Sequence, residues 1–161
     1  MIMTKEAFTK QQVKRGKKAL RLVSSINAFI YRVSNGRLWS KWAGKYPIMV
    51  LSTMGRKTKK IRHIPLIKVL YKNQPLLVAS MGGAPIHPSW FFNVQNNPNI
   101  EVQIGSEKKN YQAIRASEEE KESLWPTICS FYSDYQVYQE RTQRNIPVFI
   151  CTPIENETPQ S

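Results

Sequence analysis

The chain has 161 residues, 41% of them hydrophobic, with 4 Trp, 7 Tyr and 6 Phe. That is the length of one domain with enough apolar content for a core, which excludes a disordered or fibrous chain. The net charge of +13 is uneven: residues 1–45 hold 11 Lys/Arg against one acid, Glu6, residues 46–62 add five bases and no acid, and the remainder holds 8 bases against 10 acids. The front of the chain therefore suits an anionic partner.

Cys129 and Cys151 stand far apart, and His63 and His87 do not complete a metal-type spacing with them, so no zinc site is expected. No cleavable signal pattern and no apolar run near the ~20 residues of a spanning helix is present. The expected location is cytoplasmic, with peripheral contact to an anionic membrane through residues 14–33.

Leu22, Val23, Ile26, Phe29, Ile30 and Val33 recur at helical spacing, and Lys14, Arg15, Lys17, Lys18 and Arg21 precede or join them. The favoured reading packs this stripe on the domain; a basic amphipathic helix on lipid is the other. Asn35-Gly36 tolerates positive φ and should end the helix. Beyond Pro47, residues 48–53, 64–71 and 76–80 read as strands. The polar turn Lys72-Asn73-Gln74-Pro75 makes the last two a hairpin. Residues 88–96 read as a short helix with Trp90, Phe91 and Val94 inward and His87 at its N-cap. Ile100, Val102 and Ile104 alternate with Glu101 and Gln103 as a half-exposed strand, paired across Gly105-Ser106-Glu107 with residues 109–116. Ser117 with three following glutamates starts a helix, which Pro126 should kink or divide. Tyr132, Tyr135 and Tyr138 fall on one helical face. A strand over 147–152 and a frayed polar tail, 154–161, close the chain. Short strands with few helices indicate a small antiparallel barrel with helical additions.

Two segments suit a ligand. Gly55 to Arg62 carries Arg56, Lys57, Lys59, Lys60 and Arg62 with the hydroxyl of Thr58, directly after a strand. Arginine offers a rigid fork of donors to phosphate oxygens and lysine a mobile charge. This is not a P-loop, since Val50 and Arg56 occupy positions that motif reserves for glycine and lysine. The bland alternative is a solvated turn. Ser80-Met81-Gly82-Gly83-Ala84-Pro85 lets a ligand approach the backbone closely, or is merely a tight connection. The tyrosines form either a wall over a planar ligand or a packing face. No nucleophile–base–acid set is recognisable, which suits cofactor-borne chemistry and a non-enzyme equally.

In combination, the blocks G-R-K-T…R…P-L, A-S-x-G-G-A-P-x-H-P-x-W…N…N-P and Y-x-x-Y-x-x-Y…I-P resemble the deazaflavin-dependent nitroreductase family over residues 46–153. The resemblance implies an α+β, mainly β fold, an antiparallel split β-barrel over 46–153 behind a basic helical segment, 1–45. It implies hydride transfer from reduced coenzyme F-420 to a quinone, nitroaromatic or similar electron-poor acceptor. Arg56, Lys57, Thr58 and Arg62 would hold the cofactor's phosphate region and acidic tail. Pro65, Ala79, Ser80, Met81, Gly82, Gly83 and Ala84 would line the deazaflavin ring. Tyr132, Tyr135 and Tyr138 would border the acceptor, with Tyr135 the orienting or proton-donating group. Lys59 stands where the family usually has glycine, and Met81 where many members have lysine. FMN is the alternative cofactor. The alternative function is a non-catalytic barrel binding FMN, haem, lipid or nucleic acid at an anionic membrane surface. The tyrosines are not interleaved with the bases, which argues against a nucleic-acid platform. The chain is read as a monomer.

Overall fold

In the computed structural model, residues 10–154 are described, with side chains from residue 22 onward. The basic cluster from Lys14 to Arg21 and the tail beyond Ile154 thus lie outside the described side chains and residues. The elements run α1 (Lys10–Val33), β1 (Lys41–Trp42), β2 (Tyr46–Met54), β3 (Ile61–Ile67), β4 (Leu70–Tyr71), β5 (Gln74–Val78), a 3-10 turn (Met81–Gly83), α2 (Ser89–Asn96), β6 (Asn99–Ile104), β7 (Glu107–Arg115), α3 (Glu118–Phe131), α4 (Asp134–Arg141) and β8 (Val148–Pro153). The strands form one antiparallel sheet in the order β1-β2-β6-β7-β8-β5-β4, with β3 also paired to β2. The sheet curls into a half-barrel, the split-barrel architecture expected.

Strand alternation divides the apolar residues between two sheet faces. Met49, Leu51, Leu77, Ile100, Val102, Tyr111, Ala113, Phe149 and Cys151 point to the inner face, where Trp90, Phe91 and Val94 of α2 complete the main core. Leu76, Val78 and Val148 point outward and are covered by Leu124 and Ile128 of α3 and by Tyr132 and Tyr135. At the other end of the outer face, Ile48 and Val50 are covered by Ala28 and Tyr31 of α1. Cover on both faces explains why β2 reads as an unbroken apolar run.

Several local expectations hold. α1 ends in a Schellman motif: the Gly36 amide donates to Tyr31 O at 2.8 Å and the Asn35 amide to Arg32 O at 3.3 Å, with Asn35 at φ 53°. Ser117 and Glu120 form a reciprocal capping box, with bonds of 3.1 and 2.8 Å. Others change. The partner of β3 is β2, across the basic turn, and only Leu70 and Tyr71 pair with β5. Lys72 and Asn73, at φ 50° and 63°, make that hairpin's two-residue turn. The turn between β6 and β7 is Gly105-Ser106, because Glu107 already pairs with Ile104. α3 runs through Pro126 without division; Pro126 and Glu122 are both exposed, so the carbonyl left without a donor faces water. The N-cap of α2 is Pro88, not His87, whose ring stacks on Phe91 at 4.3 Å.

The largest departure is in α1. Ala28 and Tyr31 face the sheet, and the large apolar residues face away: Leu22, Val23, Phe29 and Val33 are each more than 60% exposed and Ile26 is 44% exposed. The reason lies under the helix. There the Tyr31 hydroxyl accepts from the Gly105 amide at 2.7 Å and donates to Ile48 O at 3.3 Å. A residue with an apolar body and a polar tip is needed there, and a small alanine beside it allows close approach. The same cover buries Gln103, expected to be half exposed; its amide donates to Gly105 O at 2.8 Å.

Candidate cofactor and acceptor site

The basic turn is a closed loop between β2 and β3. The Gly55 amide donates to Lys60 O at 2.9 Å, and the Lys59 amide to Gly55 O at 2.8 Å. A Cβ on Gly55 would lie 2.8 Å from Thr58 Oγ1 and 3.1 Å from Lys60 O, so glycine lets the loop close without displacing them. Lys59 adopts φ 55°, the left-handed region that a lysine enters only at a cost of about 1 kcal/mol. Arg62 Nη2 donates to Thr58 Oγ1 at 3.2 Å. The Arg56 amide donates to the buried Asn93 Oδ1 of α2 at 3.1 Å, and its guanidinium lies 5.2 Å from the Phe92 ring centre. α2 thus anchors the turn and leaves the charged ends outward. None of Arg56, Lys57, Lys59, Lys60 and Arg62 forms an ion pair among the described residues.

The second segment begins where β5 stops. Ser80 is right-handed (φ −72°, ψ −42°), and Met81, Gly82 and Gly83 follow at φ 48°, 64° and 76°. A right-handed residue followed by left-handed ones turns successive amides to one side, a concavity suited to anions. A Cβ on Gly82 would meet nothing within 4 Å, so this backbone is open to approach. Gly83 is packed instead: its Cβ would lie 2.8 Å from Tyr138 O. α4 therefore lies directly against the turn. Pro65 is half-buried on β3 opposite Val50, and the fully buried Ala79 directly precedes Ser80.

Two arginines hold the glycine turn, and sequence reading missed both. Arg144 donates to Ser80 O at 2.6 Å, Ala84 O at 2.8 Å and Ala79 O at 3.1 Å, and meets His87 Nδ1 at 3.3 Å. Arg141 Nη1 donates to Gly82 O at 3.2 Å. No spacing rule marks an arginine that bonds carbonyls some 60 residues away. Arg144 also lies near His87, whose pKa burial and then Arg144 lower.

The three tyrosines meet, although on two helices. Tyr132 caps α3, and Tyr135 and Tyr138 belong to α4. Ring centres lie 5.1 Å apart for Tyr132 and Tyr135 and 6.3 Å for Tyr135 and Tyr138. The Tyr132 and Tyr138 hydroxyls are 3.0 Å apart, and Tyr132 donates to Asp134 at 3.1 Å. Tyr132 and Tyr135 are buried within the outer-face core, while Tyr138 is half-buried. Burial, then Tyr138, raises the Tyr135 pKa well above the ordinary phenol value, so this hydroxyl stays protonated. The glycine turn and the tyrosine helix are joined, whereas the basic turn is anchored on α2. Two cavities lie elsewhere: one of about 270 Å³ between α3 and α4, and one of about 610 Å³ on the outer face near α1.

Coenzyme F-420, a flat ring with a phosphate and an acidic tail, suits these residues on two observations. The five clustered bases have no acidic partner among the described residues, and the backbone at Gly82 is unobstructed. No group of three metal-ligating side chains occurs among the described residues.

Comparison with known proteins gives the same answer. The model of the F420H(2)-dependent quinone reductase family matches residues 23–153. The F420H(2)-dependent quinone reductase Rv1261c of Mycobacterium tuberculosis is 33% identical over 126 residues, which cover 76% of this chain and 85% of that protein. Rv3178 of the same organism is 34% identical over 117 residues, 73% of this chain and 98% of the relative. Among solved structures, an F420-H2 dependent reductase, FDR-A, is 42% identical with a TM-score of 0.62, covering 65% of this chain and 93% of that one. A structure described as a domain-swapped dimer is 33% identical with a TM-score of 0.65, covering 89% and 99%. With a split-barrel frame, a basic turn and an open glycine backbone in place, the chain belongs to the F420H(2)-dependent quinone reductase family, oxidoreductases that work with coenzyme F-420.

Proposed function

We propose that this chain reduces a quinone, or a comparable electron-poor acceptor such as a nitroaromatic, at a site between the basic turn, the glycine turn and the tyrosine helix. The observation that carries this reading is the direct packing of α4 on the open turn at Gly82 and Gly83. When bound, the reduced cofactor supplies the hydride. Arg56, Lys57, Thr58 and Arg62 hold its phosphate and acidic tail, and the segment from Ala79 to Ala84, with Pro65, receives the ring. Tyr138, the most accessible of the three tyrosines, meets the acceptor first. Tyr135 stands behind it and orients.

Quinone reduction takes up a hydride and one proton, so negative charge grows on a quinone oxygen before the proton arrives. A phenol held neutral by burial donates a hydrogen bond to that oxygen and is a poor acid, so the proton comes from water. Tyr135→Phe keeps the packing and should slow single-turnover oxidation of reduced cofactor by menadione about tenfold, since one hydrogen bond to a charged group is worth about 1.5–3 kcal/mol. Cofactor affinity should not change. Equal rates in the two proteins remove Tyr135 from the reaction.

The outward stripe of α1, with Leu38, Trp39 and Trp42 also exposed, supports peripheral attachment to an anionic lipid surface. No helix among the described residues is long and apolar enough to cross a membrane. The triple change Leu22→Ser, Ile26→Ser and Phe29→Ser should weaken association with anionic vesicles at least tenfold and leave thermal stability unchanged. Wild-type binding should fall with salt, because surface charge is screened over ~10 Å at 0.1 M. Undiminished binding by the triple variant excludes this face as the lipid contact.

A further inference from the structure

α1 reaches the sheet with few side chains. Ala28 and Tyr31 pack on Ile48 and Val50, and the next residue, Arg32, extends toward β3. Its Nη1 lies 2.8 Å from His63 Nε2. A guanidinium can only donate, so Nε2 carries no proton and the ring proton sits on Nδ1. Nδ1 then donates to Ser52 Oγ at 2.9 Å, and the Ser52 hydroxyl donates to Glu101 Oε1 at 3.3 Å. Four elements, α1, β3, β2 and β6, are tied by one directional chain of hydrogen bonds. The first link, from Arg32 to Nε2, requires a neutral imidazole; the other two survive protonation. The 610 Å³ cavity beside it, lined by Arg32, Ser52, His63, Asn99, Glu101 and Asn110, opens the chain to solvent protons.

We infer that the Arg32–His63 pair is an acid-sensitive latch, which docks the C-terminal end of α1 on the sheet and lets go when the imidazole is protonated.

A protonated ring has an N–H on both nitrogens, so at Nε2 two donors and two positive charges would face each other. The remaining charged groups acting on the ring are Glu101 from β6, which favours protonation, and Lys108 from β7, which opposes it; β2 contributes only the neutral Ser52. Burial is the largest influence, followed by Arg32, and both lower the His63 pKa below its ordinary 6.5. The docked state thus binds the proton more weakly than the undocked one. By linkage, the latch is fully formed above about pH 6.5 and weakens as pH falls through the lower docked value. Release would leave Ala28 and Tyr31 as the main inward contacts of α1. The latch operates whether or not the outer face of the helix meets lipid, and although His63 follows Arg62 in the chain, the hydrogen bonds of the latch run to Arg32 and Ser52.

Hydrogen exchange over residues 22–33, corrected for intrinsic rates, tests this in the full chain at pH 7.5 and pH 5.5. Opening in the wild type should rise severalfold at the lower pH, with about tenfold the ceiling that an undocked value of 6.5 allows. In His63→Gln, whose amide oxygen can accept from Arg32 without titrating, it should not rise. A flat wild-type profile, or the same rise in His63→Gln, overturns the latch. A proton NMR titration of the His63 ring keeps the question answerable if the glutamine variant folds poorly. The wild-type midpoint should lie below 6.5 and move up in Arg32→Gln; an unmoved midpoint would equally overturn it.

Discussion

Replacing Arg56 and Arg62 together with alanine lowers the affinity for reduced coenzyme F-420 about 100-fold and leaves the thermal midpoint within a few degrees of wild type. Each arginine is a fork of donors on an exposed turn, and a charge-assisted contact to phosphate or carboxylate is worth about 1.5–3 kcal/mol where it is made. The lower end applies at an exposed site, so two such losses correspond to about two decades. The fold survives because the Arg56 anchor to Asn93 uses the backbone amide, and Arg62 supports only Thr58 within the turn. Titration of wild type and the double variant at two salt concentrations measures this. Wild-type affinity should fall with salt more steeply than that of the variant, which keeps Lys57, Lys59 and Lys60. If the variant binds as tightly as wild type, the phosphate and acidic tail are held elsewhere and the basic turn is a solvated surface feature. Titration with FMN, which lacks the acidic tail, should show weaker binding and a smaller loss.

Arg144→Met removes three hydrogen bonds to main-chain carbonyls, those of Ala79, Ser80 and Ala84. The Ser80 carbonyl keeps the Gly83 amide as a donor at 3.0 Å, whereas those of Ala79 and Ala84 lose the bond from Arg144; with about 1 kcal/mol or more for each of these and a smaller loss at Ser80, the total is about 3 kcal/mol. For a domain of this length that corresponds to a fall in melting temperature of about 10 °C. Arg144→Lys should recover little, because a single ammonium cannot reach three carbonyls and a ring nitrogen as a planar fork does. The same variants should raise the cofactor dissociation constant, since the turn at Met81 to Gly83 loses its clasp from below. Calorimetry and cofactor titration on the three proteins check both effects. A methionine variant with wild-type stability would show that α4, through Tyr138, holds the turn alone.

Elements with a strong local cause were legible. The capping box at Ser117 and the Asn35-Gly36 helix end depend on neighbours in sequence, and each stands as expected; the alternation of β6 holds except at Gln103, which α1 covers. Legibility failed where a distant segment decides. β3 looked like the partner of β5 because Lys72-Asn73 is a good turn, yet β3 pairs along its whole length with β2 across the loop that Gly55 closes. The stripe of α1 looked like a core face, since large apolar residues at helical spacing usually are. The sheet beneath wanted Ala28 and Tyr31, which no periodicity singles out. The same holds for the candidate site. Its basic turn, glycine turn and tyrosines were visible as motifs. Arg144, His63 and Arg32 act through partners that only the fold brings near.

The place of β8 has a consequence for biosynthesis. The strand Val148–Pro153 lies between β7 and β5, and pairs Ile150 with Leu76 and with Ile114. Until it has left the ribosome, β4 and β5 cannot join the β1-β2-β6-β7 ribbon. The emerging chain therefore carries two sheet edges and an open apolar face until this strand is made. Closure then needs a pairing between residues more than 70 positions apart, which is slow compared with hairpin formation. Chaperone dependence of the nascent chain should accordingly track this one strand: a change that weakens its pairing, at Ile150 for example, would lower soluble yield more than its effect on the finished protein suggests.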